Sequence, residues 1–427
     1  MRQIAIAVGL VLFATVPAMA ADPASDPASD AGALSLADEA PAVKSASQSW
    51  RLFGEGALAR SWLRNPSASG NEGRASLDFR YDGLIVPQLR AVFSDRLDLI
   101  HRGGDLEPRE DNANTLREAY VSWHATPELI GDVGRVNLRY GAAFGYNPTD
   151  YFKSNALRTV VSIDPVSLRE NRQGTVVLQG QKLWTGGSAS AAFSPKLSDA
   201  PPSSSTFSLN FGATNPSNRW LLAASHKFGE ELNPQVVVYG GEHMSTQAGL
   251  NVSGLVNRAT VAYLEVSGGR GPSMITQAQG LSDPEKSQQR GAAGLTYTTD
   301  FNLSVTAEFE YNSAAPSRAD WQTLTASAPL NALRLLTLAR AQQDLPVRRA
   351  VFLYAAWRDM VVRNFDLSAF VRHDADSQSR EQWIEAGYHW SKAEIAMRWQ
   401  QYAGSSSSSF GFVPLARRAE ILFRVFL

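Results

Sequence analysis

From Ser49 onward the chain alternates apolar and polar residues with a period of two. Leu77, Phe79 and Tyr81 alternate with Asp78, Arg80 and Asp82, and Val136, Leu138 and Tyr140 alternate with Arg135, Asn137 and Arg139. The pattern returns in Phe365, Leu367, Ala369 and Val371 against Asp366, Ser368 and Arg372, and in Ile395, Met397 and Trp399 against Glu394, Arg398 and Gln400. A period of two puts the two sets on opposite faces of a β-strand, one apolar and one charged. Soluble sandwiches alternate too, so length has to discriminate. These runs are about 9–12 residues long, which is what a tilted strand needs to cross the hydrocarbon of a bilayer. Aromatic residues near strand ends (Trp62, Trp123, Tyr140, Trp357, Trp390, Trp399) suit interfacial girdles. Charges of both signs on the polar face suit a water-filled lumen. The expected fold class is all-β: a single transmembrane antiparallel β-barrel over residues 48–427, with about 18 strands (roughly 16–20) and long external loops.

The alternation yields about 19 candidate strands, whereas single-chain bacterial barrels have even numbers. Linker lengths locate the surplus. Early in the chain, short links at Val86, near Pro127 and near Thr185 alternate with long ones at 101–113 and 145–172. Late in the chain, 269–288, 313–347 and 403–416 are long, while 299–300, 361–362 and Ser391–Lys392 are short. The two series are out of phase by one strand. One assignment between about 185 and 268 (among 187–195, 205–213, 217–227, 234–243, 246–254 and 257–268) is therefore wrong, and eighteen strands is the expected number, with sixteen and twenty open. Within 313–347, Asn331–Arg340 has the character of a helical turn or two inside an external loop. The last strand sets Ala419, Ile421, Phe423, Val425 and Leu427 against Glu420 and Arg424. This is the amphipathic ending that outer-membrane assembly machinery reads, with Leu in the place of the usual Phe.

Residues 1–20 read as a signal peptide for the general secretory pathway. Arg2 is the basic region, Ile4 to Val16 the apolar run and Ala18-Met19-Ala20 the cleavage site. Residues 21–47, with the tandem Asp22–Ser29, are rich in Ala, Pro, Ser and Asp and read as a disordered periplasmic leader. No stretch of about 18 apolar residues occurs elsewhere, so no transmembrane helix is expected. The absence of cysteine removes disulfides, thiolate metal sites, Cys nucleophiles and a lipoprotein anchor. A net charge of −1 gives a nucleic-acid partner no electrostatic support. Seven of the 40 basic residues are Lys, leaving 40 − 7 = 33 Arg, the side chain that binds carboxylate and phosphate bidentately.

Catalytic chemistry has little footing. There is no G-x-S-x-G, and His101, His124, His226, His243, His373 and His389 are scattered without metal-ligand spacing. The acidic segment Asp105–Asp111 beside His101 reads as an exposed loop facing lipopolysaccharide, or as a weak divalent-cation site. No catalytic residue, metal or cofactor is implied. By parity, Arg74, Arg80, Arg90, Arg96, Arg135, Arg139, Arg372, Arg398 and Arg424 face inward, together with Asp78, Asp82, Asp98, Glu118, Asp366, Glu385, Glu394 and Glu420. Cross-strand ion pairs should absorb most of them. The loop 145–172, with its Asn147-Pro148 and Asp164-Pro165 turns and its Arg169-Glu170-Asn171-Arg172 cluster, is expected to pack in the barrel mouth as a constriction.

The Gly134-Arg135 strand, the Asn147-Pro148-Thr149-Asp150 loop and the charged return strand resemble the wide barrels of the alginate-export and related porin-like type. The resemblance implies an arginine-rich lumen under folded loops that passes an anionic polysaccharide, with Arg135, Arg139, Arg169 and Arg172 carrying the contact. The chain departs from that type in its many luminal acids. The candidate pore-lining residues are Asp78, Arg80, Arg135, Arg139, Arg169, Arg172 and Arg398. The expected function is a passive outer-membrane channel or exporter for a polar or anionic solute or polysaccharide. Its partners would be outer-membrane lipid and lipopolysaccharide, the assembly machinery and the solute. Two alternatives stay open: an anchoring barrel that conducts little, and an outer-membrane hydrolase with residues assembled across strands.

Overall fold

A computed structural model describes residues 49–106, 112–229, 231–281 and 285–427. The expected signal peptide and leader lie outside the described residues, as does most of the acidic segment 105–111. Eighteen antiparallel strands form one closed sheet. The first four are long: β1 (Trp50–Leu63), β2 (Ser69–Val86), β3 (Leu89–Gly104) and β4 (Ala113–His124). A lower sector follows, made of β5 (Leu129–Val136), β6 (Thr175–Trp184), β7 (Gly187–Ser194), β8 (Arg219–His226) and β9 (Leu232–Gly241). The remaining arc comprises β10 (Met244–Asn257), β11 (Thr260–Gly271), β12 (Lys286–Thr298), β13 (Leu303–Asn312), β14 (Arg349–Trp357), β15 (Phe365–Asp374), β16 (Ser379–His389), β17 (Ala393–Ala403) and β18 (Leu415–Phe426). β18 pairs with β1 from Phe53↔Phe426 to Leu63↔Leu415 and closes the ring.

Side-chain parity explains why the ring suits lipid. Leu58, Leu77, Phe93, Leu178, Leu264, Ile421 and Phe423 are exposed on the outer face, while Glu55, Asp78, Arg96, Glu265, Glu308 and Glu420 are buried on the inner one. A soluble barrel would show the reverse distribution, and this one matches a wall with hydrocarbon outside and water inside. Inward-facing Val177, Ala192, Leu221, Val237 and Tyr239 on β6 to β9 pack against Val136, Leu138, Tyr140, Tyr151 and Phe152. Tyr151 stacks on Tyr239 at 4.8 Å. The core is thus a wad of loop pressed against the low sector, and Tyr140 belongs to it rather than to an interfacial girdle.

The surplus candidate strand is 205–213, which falls in a loop ending in a short helix, Phe211–Thr214. The misreading has a physical cause. β5 leaves the wall at Val136, so the upper half of β4 has β3 on one side and no strand on the other. Segment 205–211 stands in the gap: Asn114 N donates to Thr206 O at 2.8 Å, and Phe207 is 72% exposed. Its apolar alternation is that of a wall, without a strand ladder. The alternation read from Arg135 to Tyr140 is likewise not all strand: β5 stops at Val136. Gly134 permits the close approach before this exit: its φ is +132°, and a Cβ there would meet Ala119 O at 2.3 Å. Behind the departing chain, Gly174 N donates to Arg117 O at 2.7 Å and brings β6 up to β4.

Candidate functional site

Residues 137–174, between β5 and β6, fold into the lumen. A loop buried there has amides that water does not reach, and each needs a partner. Two wall carboxylates supply them. Glu308 on β13 accepts from the backbone N–H of Phe144 (2.9 Å), Gly145 (3.2 Å) and Tyr146 (2.9 Å), and from the Tyr263 hydroxyl at 2.6 Å. Glu265 on β11 accepts from Ala143 N at 3.0 Å and from Thr149 N and its hydroxyl at 2.7 and 2.8 Å. Arg372 on β15 donates to Gly145 O at 2.8 Å, while Phe144 lies 4.5 Å from the Tyr354 ring. Farther along, Thr159 donates to Asp98 on β3 at 2.9 Å, and Arg398 on β17 donates to Val161 O at 3.0 Å. The loop therefore touches the wall on several sides.

At its return the loop forms α1 (Pro165–Glu170). Asp164 caps it, accepting from Ser167 N at 2.9 Å, and burial pushes the Asp164 carboxyl up to about 6. Arg172 then locks the loop's two ends together. It pairs with Asp150 at 2.7 and 3.2 Å, and it donates to Asn137 Oδ1 and Leu138 O, both at 2.6 Å. A second loop supports the first. It carries α2 (Arg318–Ser327) and α3 (Pro329–Gln342), the latter covering the expected helical segment. From its end, Gln343 donates to Lys153 O at 2.6 Å, and Asp344 receives the Tyr146 hydroxyl and Arg290. Lys153 is buried over the Tyr146 ring at 4.7 Å, and burial lowers its pKa.

Most luminal charge is neutralised in the wall, as cross-strand pairing predicts. Glu55 receives Arg74 (2.9 Å), Arg96 (2.8 Å) and Arg424 (2.6 Å). Asp78 receives Arg117 at 2.6 Å, and Arg398 sits between Glu420 at 2.9 Å and Glu385. Arg117 reaches the lumen through a bulge: Ser94 pairs with Glu118 and Asp95 with Leu116, so Arg117 and Glu118 both point inward. Arg80 is held less firmly, at 3.3 Å from Glu118 and 3.5 Å from Asp82. Directly across the ladder from Arg80 stands Arg51, which lies over the Phe53 ring at 5.8 Å. Like charges placed opposite each other cost stability. Among the described residues neither Arg51 nor Arg139 has a carboxylate within 4 Å. Glu170, at the end of α1, feels Arg139, Arg51, Arg117 and Arg80, yet burial still raises its carboxyl above the usual range.

The candidate residues thus separate. Arg80 and Arg139 stand near Glu170, at the end of the folded loop. Arg169 lies beside them on α1, where its carbonyl accepts from Asn137 at 3.0 Å. Asp78 and Arg398 are luminal but engaged in the wall. Arg172 is 1% exposed and makes four hydrogen bonds within the loop, so it is a lock on the loop rather than a surface for solute. Arg135 is not luminal: it pairs with Ala119 and Val176 on the membrane-facing row. There it is covered by segment 205–211, donating to Leu209 O at 2.5 Å and to Leu116 O at 3.3 Å under the Phe211 ring. Its strand carries Val136 inward against the folded loop, which reverses the expected parity. Glu265, Glu308, Arg117 and Arg51 were not singled out from sequence. The first two lie on β11 and β13 and face inward, but nothing local in the sequence showed that they would meet a loop. Among the described residues no three His, Cys, Asp or Glu side chains group to hold a metal ion.

Solved structures share this architecture. The chain superposes on Acinetobacter baumannii OccAB1 with a TM-score of 0.54 at 10% identity, covering 88% of this chain and 96% of that one. Pseudomonas aeruginosa OpdQ gives 0.54 at 8% identity, covering 89% and 99%. OccK5 (OpdH) from the same organism gives 0.53 at 8%, covering 88% and 97%. Identity this low speaks for the fold: a closed barrel of the porin-like kind. The alginate-export subtype expected from sequence finds no support in these likenesses. No family model matches the chain, and no curated protein is similar to it in sequence.

Proposed function

We propose that the chain is a passive channel of the outer membrane that selects small polar solutes bearing a carboxylate or a similar anionic group. Its short turns would face the periplasm and its long loops the exterior. The barrel with an apolar outside and a charged inside supports the membrane location, and the Occ-type porin fold is consistent with it. The single observation that carries the selectivity is the set Arg51, Arg80 and Arg139 beside the end of the folded loop: Arg51 and Arg139 have no carboxylate within 4 Å among the described residues, and Arg80 is held only loosely, at 3.3 Å from Glu118 and 3.5 Å from Asp82. Rings of Arg favour anions, and a guanidinium recognises a carboxylate bidentately. The loop's attachments to β3, β11, β13 and β17 argue for a narrow passage, suited to small molecules rather than to a polysaccharide.

The test is ion current through the refolded protein in a planar bilayer, with the reversal potential measured across a salt gradient. The expected result is discrete openings with anions preferred over cations, and loss of that preference in Arg51→Ala/Arg139→Ala. A barrel that stays closed at every salt concentration, or one that prefers cations, would overturn the reading.

A further inference from the structure

Glu170 is out of place on two counts. It is the last residue of α1, where the helix presents its negative pole and a carboxylate is disfavoured. It is also unengaged. Glu55, Asp78, Glu265 and Glu308 are each bonded to guanidiniums, amides or hydroxyls, whereas Glu170 has no hydrogen bond or ion pair among the described residues. Yet the charges that act on it most are four guanidiniums: Arg139, Arg51, Arg117 and Arg80. The residues on either side of it are held, because Asn137 donates to the Arg169 carbonyl and Arg117 donates to the Asn171 side chain, both at 3.0 Å. The carboxylate is thus held near the arginines without being bonded to them.

We propose that Glu170 is a tethered counter-ion, which takes in the empty channel the electrostatic place that a solute carboxylate takes during passage. The inference rests on the anion-selective reading above. Conduction needs a site attractive enough to enter and weak enough to leave. Arginines with no counter-ion would hold a dicarboxylate too long. A carboxylate on the loop lowers that attraction and re-forms the resting state as the solute departs. Exchange against Glu170 then sets the residence time, and no covalent or redox step is involved.

Succinate, added to one side of a planar bilayer, serves as the probe of block. In Glu170→Gln the half-blocking concentration should fall by about tenfold, the size of one partly screened charge–charge interaction, and blocked events should lengthen. That change should vanish when Arg51→Ala/Arg139→Ala is added. Glu128→Gln is the control, since it removes one negative charge at the exposed turn before β5, where Glu128 pairs with Lys182; its block should match the parent. An anion-selective parent whose block is unchanged in Glu170→Gln overturns the counter-ion alone. A shift in Glu128→Gln as large as in Glu170→Gln overturns it too, in favour of net charge. A parent without anion preference overturns the channel reading, and the counter-ion with it.

Discussion

Asp164 pulls in two directions at the start of α1. Its carboxylate satisfies the amide of Ser167, and its burial disfavours the charge that makes it a good acceptor. With a folded-state pKa of about 6 against an ordinary 3.8, folding favours the protonated form. The stability linked to this group is therefore fully present below the ordinary value and is lost as pH rises through about 6. Asp164→Asn keeps an acceptor oxygen and removes the titration. Thermal unfolding in detergent should show this variant at least as stable as the parent above that window and flatter within it, whereas Asp164→Ala should lose about 1 kcal/mol with the cap. Arg172 shows the limit of reading residues by type. An arginine in a charged loop looks like a solute contact, but its donors go to Asp150, Asn137 and Leu138. Sequence carries the residue type and not its partners, which lie 22 to 35 positions away.

The folded loop is an element held mostly from outside itself. Glu265 and Glu308 accept six of its backbone and hydroxyl donors in the stretch from Ala143 to Thr149. Unsatisfied buried donors cost roughly 1–3 kcal/mol each. Glu265→Ala/Glu308→Ala should therefore free the loop while the strand ladders persist. The readout is single-channel current, expected to be larger and noisier, with an unchanged far-ultraviolet circular dichroism spectrum. The wall segment 205–211 depends in the same way on Arg135. Arg135→Ala should expose the 195–218 loop to limited proteolysis, and Arg135→Lys should not rescue it, because an ammonium cannot reach Leu116 O and Leu209 O together as the planar fork does. Here the alternation of Phe207, Leu209 and Phe211 was legible, and its meaning was not. A period of two reports two faces in different media, and it cannot report whether the backbone has ladder partners.

For the whole molecule, far more was readable. Alternation showed the inner face of β2, β3, β4 and β15 to β18, while on β5 the parity came out reversed. The phase of long and short linkers placed the surplus strand within 185–268, where 205–213 proved to be the loop. These properties are set by the medium and by the parity of up and down, both of which act along the chain. The lumen was less readable because its chemistry is made across the ring. Arg51 and Glu170 come together only when β1, β2, β4 and the loop's return meet.

The closing ladder between β1 and β18 also has a consequence in time. Until β18 is delivered, β1 offers an unpaired edge, and the partial sheet behind it carries an apolar face. Such a sheet is a template for aggregation in water. Joining strands at opposite ends of the chain costs loop-closure entropy, which grows only slowly with length, but the contacts of that ladder cannot form in instalments. The last strand thus turns an open, sticky ribbon into an edgeless ring in a single late event. Until then the chain has to be kept apart from its own kind.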